Sequence, residues 1–300
     1  MSGRDPVKDL YRRWSDTFAA RGDLPLDEWR EIIEEWGQAT AEPGGVDYLE
    51  IDAGGVTAMR VVPKGAAEDR VVLGVHGGGF VTGSMYTHRK LFAHLAKAIG
   101  AHALVPDYRR APEHPHPAAL EDVLAVYRWL LGQGIKASHI VFVGDSAGGG
   151  LVVATMLLAR ERGLPLPAGG MPLSPWFDHK HTGGSWDENA GKDALLSREF
   201  SERLTAMMLG GSGDPQDPLV SPLYADLAGL APLYIQASRD EGIVDDSRSF
   251  AKRAQQAGVD VRLDLFPGQQ HTFQIGAGRS PEADEAIRRL AEWARPKLGL

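Results

Sequence analysis

"FVGDSAGGG", residues 142–150, places one serine among four glycines, with an apolar run before it and "GLVVATMLLARER" after it. Glycine weakens helix and strand interiors by roughly 0.5–1 kcal/mol against alanine, so this density marks a special turn. Gly144-Asp145-Ser146-Ala147-Gly148 fits G-x-S-x-G, the pattern of a strand-to-helix elbow that exposes a nucleophilic serine. In such an elbow the serine takes a strained φ/ψ, and flanking Gly144 and Gly148 avoid Cβ clashes. The helix N-terminus behind it favours negative charge developing nearby. A phosphate-holding turn is the competing reading, but the stretch has neither the G-x-x-x-x-G-K-[ST] spacing nor a lysine. A chymotrypsin-type reading of "GDSAGG" fails too, because Ala147 follows the serine and a helix begins there.

Working outward, short apolar strands alternate with helical stretches from residue 71: "RVVLGVHGGGF", "AHALVPDYR", "HIVFVG", "APLYIQAS" and "VDVRLDLFPG" are strands with helices between them. This alternation predicts an α/β fold, a mostly parallel sheet with helices on both faces. "VDYLEIDAGGVTAMRVVP" reads as a hairpin turning at Gly54-Gly55. Residues 5 to about 42 read as amphipathic helix, with Leu10, Trp14 and Phe18, then Trp29, Ile32, Ile33 and Trp36, at helical spacing. Residues 177–215 carry helix signals but no strand, an excursion of the size that forms a lid.

Upstream, "HGGGF" (His76–Phe80) ends a strand, and its bare backbone amides can approach a ligand closely. With the amide of Ala147 they suit the oxygen of a tetrahedral intermediate, where one such donor is worth about 2.7–4 kcal/mol of barrier. His76 reads as fixing this loop by hydrogen bonding rather than as a base. Chain order in hydrolases built around this elbow is serine, acid, histidine. His271, in "FPGQQHTFQ", is the one histidine beyond His181 and follows a strand directly. The acid belongs in "RDEGIVDD" (239–246). Asp245 and Asp246 read as helix-start residues, which leaves Asp240 and Glu241 open.

The bulk composition narrows the alternatives. A net charge of −8 argues against nucleic-acid or anionic-membrane partners. The absence of cysteine excludes thiolate and disulfide chemistry and fits a reducing compartment. The N-terminal stretch lacks the apolar run of a signal peptide, and no window reaches the roughly 18 apolar residues of a membrane span, so a cytoplasmic location is expected.

Taken together, "HGGGF", "DYRRAPEHPHPAALED" (107–122), "GDSAGG", "SPW" (174–176), "DPLVSPLYADLAGLAPLYI" (217–235) and "HTF" (271–273) resemble the bacterial hormone-sensitive-lipase family of α/β-hydrolase esterases. The resemblance implies a helical cap made of residues 1–45 and 177–215 over a catalytic core of 46–176 and 216–300. It puts the acid at Glu241, four residues before the first of two acidic residues, with Asp240 in reserve because "EGIVDD" departs from the family pattern at Gly242 and Ile243. It makes Gly78, Gly79 and Ala147 the oxyanion donors and requires no metal or organic cofactor. "SMYTHRK" (84–90) is similar to the branch called monoterpene ε-lactone hydrolases, so the expected small-molecule substrate is an ester of short to medium acyl chain or a lactone. Trp176, Met207, Met208 and Tyr86 are the expected substrate-binding residues, whereas Asp107, Arg109 and Glu113 read as a structural network and Trp14, Phe18, Trp29 and Trp186 as packing. Relatives suggest a homodimer through the edge strand near "VDVRLDLF". A ligand receptor on the same fold is the non-enzymatic alternative, and it is expected to lack the serine, histidine or carboxylate present here.

Overall fold

The computed structural model describes residues 5–22 and 24–300. Three helices lead the chain: α1 (Pro6–Arg21), α2 (Leu26–Ile33) and α3 (Trp36–Ala39). Asp5 caps α1 through its carboxylate, accepting the Val7 and Lys8 amides. The apolar spacing of this segment brings Tyr11, Trp14 and Trp36 into one ring cluster, with centroids 5.4–6.4 Å apart. The region read as helical throughout is thus divided, and its inner face is aromatic.

A hairpin follows, β1 (Val46–Asp52) and β2 (Thr57–Pro63), turning through Gly54 and Gly55 as the sequence implied. Alternation then sets in with β3 (Ala67–Val75), α4 (Met85–Ile99), β4 (Ala101–Pro106), α5 (Ala118–Gly132), β5 (Ile140–Asp145) and α6 (Ala147–Glu161). β6 (Gly169–Leu173) precedes the long excursion, which holds α7 (Ser185–Glu188) and α8 (Arg198–Leu209). The chain closes with β7 (Leu233–Ser238), α9 (Val244–Gln256), β8 (Val261–Phe266) and α10 (Pro281–Lys297).

Among the described residues the strands make one eight-stranded sheet in the order β1-β2-β4-β3-β5-β6-β7-β8. β2 pairs antiparallel with β1 and with β4, and every pairing from β4 through β8 is parallel. The parallel strands β4, β5, β6 and β7 are buried throughout, as helices on both faces require, whereas the edge strand β8 is buried only at Phe266. α5, α6 and α9 share one apolar core with the leading helices, and α4 with α10 builds the core on the opposite face. In such sheets the ligand crevice lies beyond the carboxyl ends of the strands, and the ends of β3, β5, β6, β7 and β8 all open on the same side. Among the described residues no helix is long and apolar enough to cross a membrane.

Candidate active site

β5 runs into α6 through Ser146, which sits at φ 53°, ψ −120°, a conformation that side-chain-bearing residues rarely adopt. The turn is this sharp because β5 and α6 press against β3. A Cβ on Gly148 would collide with the carbonyl oxygens of Val75 and His76. No side chain can relieve that contact, because both partners are backbone.

The loop after β8 brings His271 to the serine. His271 Nε2 lies 2.8 Å from Ser146 Oγ, and its Nδ1 lies 3.1 Å from Glu241 Oε2. All three side chains are buried. Asp240 points elsewhere: its carboxylate accepts the Gly268 amide at 2.7 Å and holds the turn that leads to His271. Asp246 accepts the amides of Phe177 and Asp178, and Asp245 accepts that of Ser185, so both brace the excursion. Burial alone pulls the His271 imidazole down. The hydrogen bond and charge of Glu241 outweigh it, helped by Asp193 and Asp145, and the imidazole is held above its usual value. Glu241 is pushed up by burial, against the opposing pull of His271.

Asp145 ties the elbow to the glycine loop. One carboxylate oxygen accepts the Gly77 amide at 3.0 Å, and the other lies 3.1 Å from Nε2 of buried His88. The amides of Gly78 and Gly79 make no backbone hydrogen bond to another described residue, and both glycines line the cavity above Ser146. His76 is buried, hydrogen-bonds Gly77 O through Nδ1 at 2.8 Å and stacks on Tyr108 with centroids 4.0 Å apart. Burial drives its pKa well down, so it stays neutral. It is a loop brace, as its position suggested.

Two supports of the histidine loop were not legible beforehand. Tyr11, from α1, donates its hydroxyl to the His271 carbonyl at 3.0 Å, lies 2.7 Å from Thr272 Oγ1 and accepts the Trp36 indole N–H at 3.1 Å. Burial pushes this phenol up, so its proton stays on. Ser174 Oγ, after β6, accepts the Thr272 amide at 3.1 Å. Thr272 and Ser174 both carry positive φ, 52° and 42°, so the loop is held under strain from two sides.

The cavity over Ser146 has a volume of about 30 Å³ and is almost wholly apolar. Trp29, Ile33 and Trp36 close it from the leading helices, Leu195, Leu196, Phe200 and Leu204 from the excursion, and Trp176 from the core. Three of the expected binding residues fall outside it. Tyr86 stands at the exposed start of α4 with its hydroxyl on Glu50, 2.7 Å away. α8 turns Phe200 and Leu204 towards the serine, whereas Met208, a turn further on, lies in a separate hollow with Phe80, Leu120 and Leu151. Met207 packs half-buried against the core. Conversely Trp29, read as packing, lines the cavity. A larger hollow of about 180 Å³, between β4 and α5, lies at the amino side of the sheet and shares no residue with this site.

The "DYRRAPEH" charges are structural. Arg109 grips Asp122 at 2.8–3.1 Å, Asp107 accepts the Met85 amide, and Glu113 pairs with Arg30 at 2.7 and 2.8 Å. Arg30 also donates to Val81 O at 2.9 Å, which fastens α2 to the loop behind the glycines.

Known proteins resemble this chain over most of its length. A family profile described as the alpha/beta hydrolase fold matches residues 72–275. The acetyl-hydrolase of Streptomyces hygroscopicus is 37% identical over 89% of this chain and 87% of that protein. An esterase of Acinetobacter venetianus is 38% identical over 91% of this chain and 89% of its own length. A crystal structure of an esterase from the bacterial hormone-sensitive lipase family superposes with a TM-score of 0.93 at 41% identity, covering 100% of both chains. This chain therefore belongs to the α/β-hydrolase family, in its bacterial hormone-sensitive-lipase group.

Proposed function

We propose that the protein is a serine carboxylesterase that cleaves esters of short to medium acyl chain through an acyl-enzyme, with Ser146, His271 and Glu241 as its catalytic residues. The observation that carries this reading is the unbroken line of contacts from Glu241 Oε2 through the His271 ring to Ser146 Oγ, 3.1 and 2.8 Å. Ser146 Oγ attacks the ester carbonyl as His271 Nε2 takes its proton. Glu241 holds the imidazole in the tautomer that presents Nε2 as acceptor and stabilises the cation that forms. The carbonyl π electrons move to oxygen, and the oxyanion is received by the amides of Gly78, Gly79 and Ala147. Collapse breaks the bond to the leaving oxygen, which departs as the alcohol with the proton from His271. Water, deprotonated by His271, then attacks the acyl-enzyme and releases the acid, returning Ser146 to its resting form.

The small, apolar character of the cavity, about 30 Å³, supports a short acyl preference. The test is hydrolysis of p-nitrophenyl butyrate by the wild type and by Ser146→Ala. The substitution is expected to remove turnover to near background while the circular dichroism spectrum is retained. Undiminished turnover by the folded variant refutes the assignment of the nucleophile. Across a panel of aryl esters, faster turnover of palmitate than of butyrate refutes the chain-length reading.

A further inference from the structure

The cavity over Ser146 has a neighbour. A second hollow of about 120 Å³ is lined by Phe18, Gly22, Leu24, Trp29, Phe200 and Arg203, and its rim reaches exposed Gly22 and Arg203. Trp29 and Phe200 are the two residues it has in common with the inner cavity. Their rings meet edge to face, 5.7 Å between centroids, and Phe18 backs Trp29 in the same manner at 6.5 Å. The two hollows therefore meet at one pair of side chains, Trp29 from α2 and Phe200 from α8.

Trp29 carries a second, independent sign. It is 8% exposed, and its indole N–H has no hydrogen-bond partner among the described residues. A buried donor left without an acceptor costs about 1–3 kcal/mol. Tryptophan normally satisfies that group when buried. Phenylalanine would supply the same edge-to-face packing without the orphaned donor. An oxygen carried by a bound molecule, passing the partition, would satisfy it.

We propose that the outer hollow is a subsite for the distal end of the longer arm of an ester substrate, and that the Trp29–Phe200 pair is the partition that sets how long an arm the site accepts. This rests on the reading of Ser146 as the nucleophile. The occupant is the substrate's own chain, because the hollow shares those two rings with the cavity over Ser146 and its lining is mainly apolar. The inner cavity takes a short arm with the partition shut. A longer arm displaces one ring and runs out towards Leu24 and Phe18.

Measuring kcat/KM for two homologous series tests this: p-nitrophenyl acyl esters from acetate to octanoate, and straight-chain alkyl butyrates from ethyl to octyl. Trp29→Ala and Phe200→Ala, on separate helices, should each raise the long-to-short ratio by about tenfold in at least one series, the scale of discrimination a few methylenes provide. Adding Leu24→Trp to Trp29→Ala refills the outer hollow and should return the ratio to that of the wild type. Unchanged ratios in both single variants, with butyrate still hydrolysed, overturn the proposal. A raised ratio that Leu24→Trp does not reverse also overturns it, because the longer arm then runs elsewhere. Failure of the underlying reading looks different: the wild type itself would hydrolyse neither series.

Discussion

Glu241 and Asp240 are adjacent carboxylates that residue chemistry alone does not separate, because either can orient an imidazole; the family resemblance favours Glu241. Their backbone directions separate them, sending Glu241 to His271 and Asp240 to the Gly268 turn. Glu241→Gln is expected to lower kcat by about three to four orders of magnitude, the scale seen when a buried triad carboxylate becomes an amide, whereas Asp240→Asn retains most of the rate. The reverse ranking transfers the acid role to Asp240. The pH profile follows from the same contact. Catalysis needs a neutral imidazole, and Glu241 holds the His271 pKa above its ordinary value near 6.5. The rising limb of kcat/KM should therefore lie above that value, with activity lost as pH falls through it. Residual activity of Glu241→Gln should rise at lower pH than in the wild type, since burial then acts on His271 without its counter-charge. A limb that stays in place means that Glu241 does not set that proton.

At the level of elements, strands with branched side chains and the elbow itself were legible, but β6 was not. "GGMPL" has two glycines and a proline, residues that ordinarily count against a strand. The reason lies in packing rather than propensity: a side chain at Gly169 would run into the Trp293 ring of α10 and the Pro232 carbonyl. Glycine admits α10 close to the sheet, and no local pattern records the position of a helix more than a hundred residues away. The aromatic lining of the cavity was half legible for a similar reason. Helical spacing shows that Trp29 and Trp36 face inward, yet the identity of what they face depends on how α2 and α3 meet α8. α1 shows the same limit most clearly, because no local pattern singles out Tyr11, which proves to hold the carbonyl of His271. Tyr11→Phe keeps the ring and deletes the hydroxyl, so kcat should fall about tenfold with KM nearly unchanged, on the scale of one lost hydrogen bond. Leu10→Ala, at another buried position of the same helix, is the comparison. If both variants lose kcat in proportion to lost thermal stability, Tyr11 contributes packing alone.

Over the whole molecule, the site draws on parts of the chain as far apart as Tyr11 and His271, and the two layers that form it differ in their support. The core side rests on an eight-stranded sheet covered on both faces. The other side rests on short helices, α2 and α8 among them, held by a few aromatic contacts and the Arg30 clamp. Regions with fewer buried contacts open at lower free energy than the core. Activity should therefore be lost at lower urea concentration than far-UV circular dichroism, with the fluorescence difference between the native chain and Trp29→Phe changing along with activity. Coincident transitions by all three probes show that the covering helices and the sheet unfold as one unit.

The backbone at residue 146 carries one more implication. An L-residue held at φ 53°, ψ −120° costs of order 1–3 kcal/mol, and glycine would not incur most of that cost. Ser146→Gly should melt at a higher temperature than the native chain while hydrolysing nothing, so the hydroxyl proposed as the nucleophile is kept against the resilience of the protein that bears it.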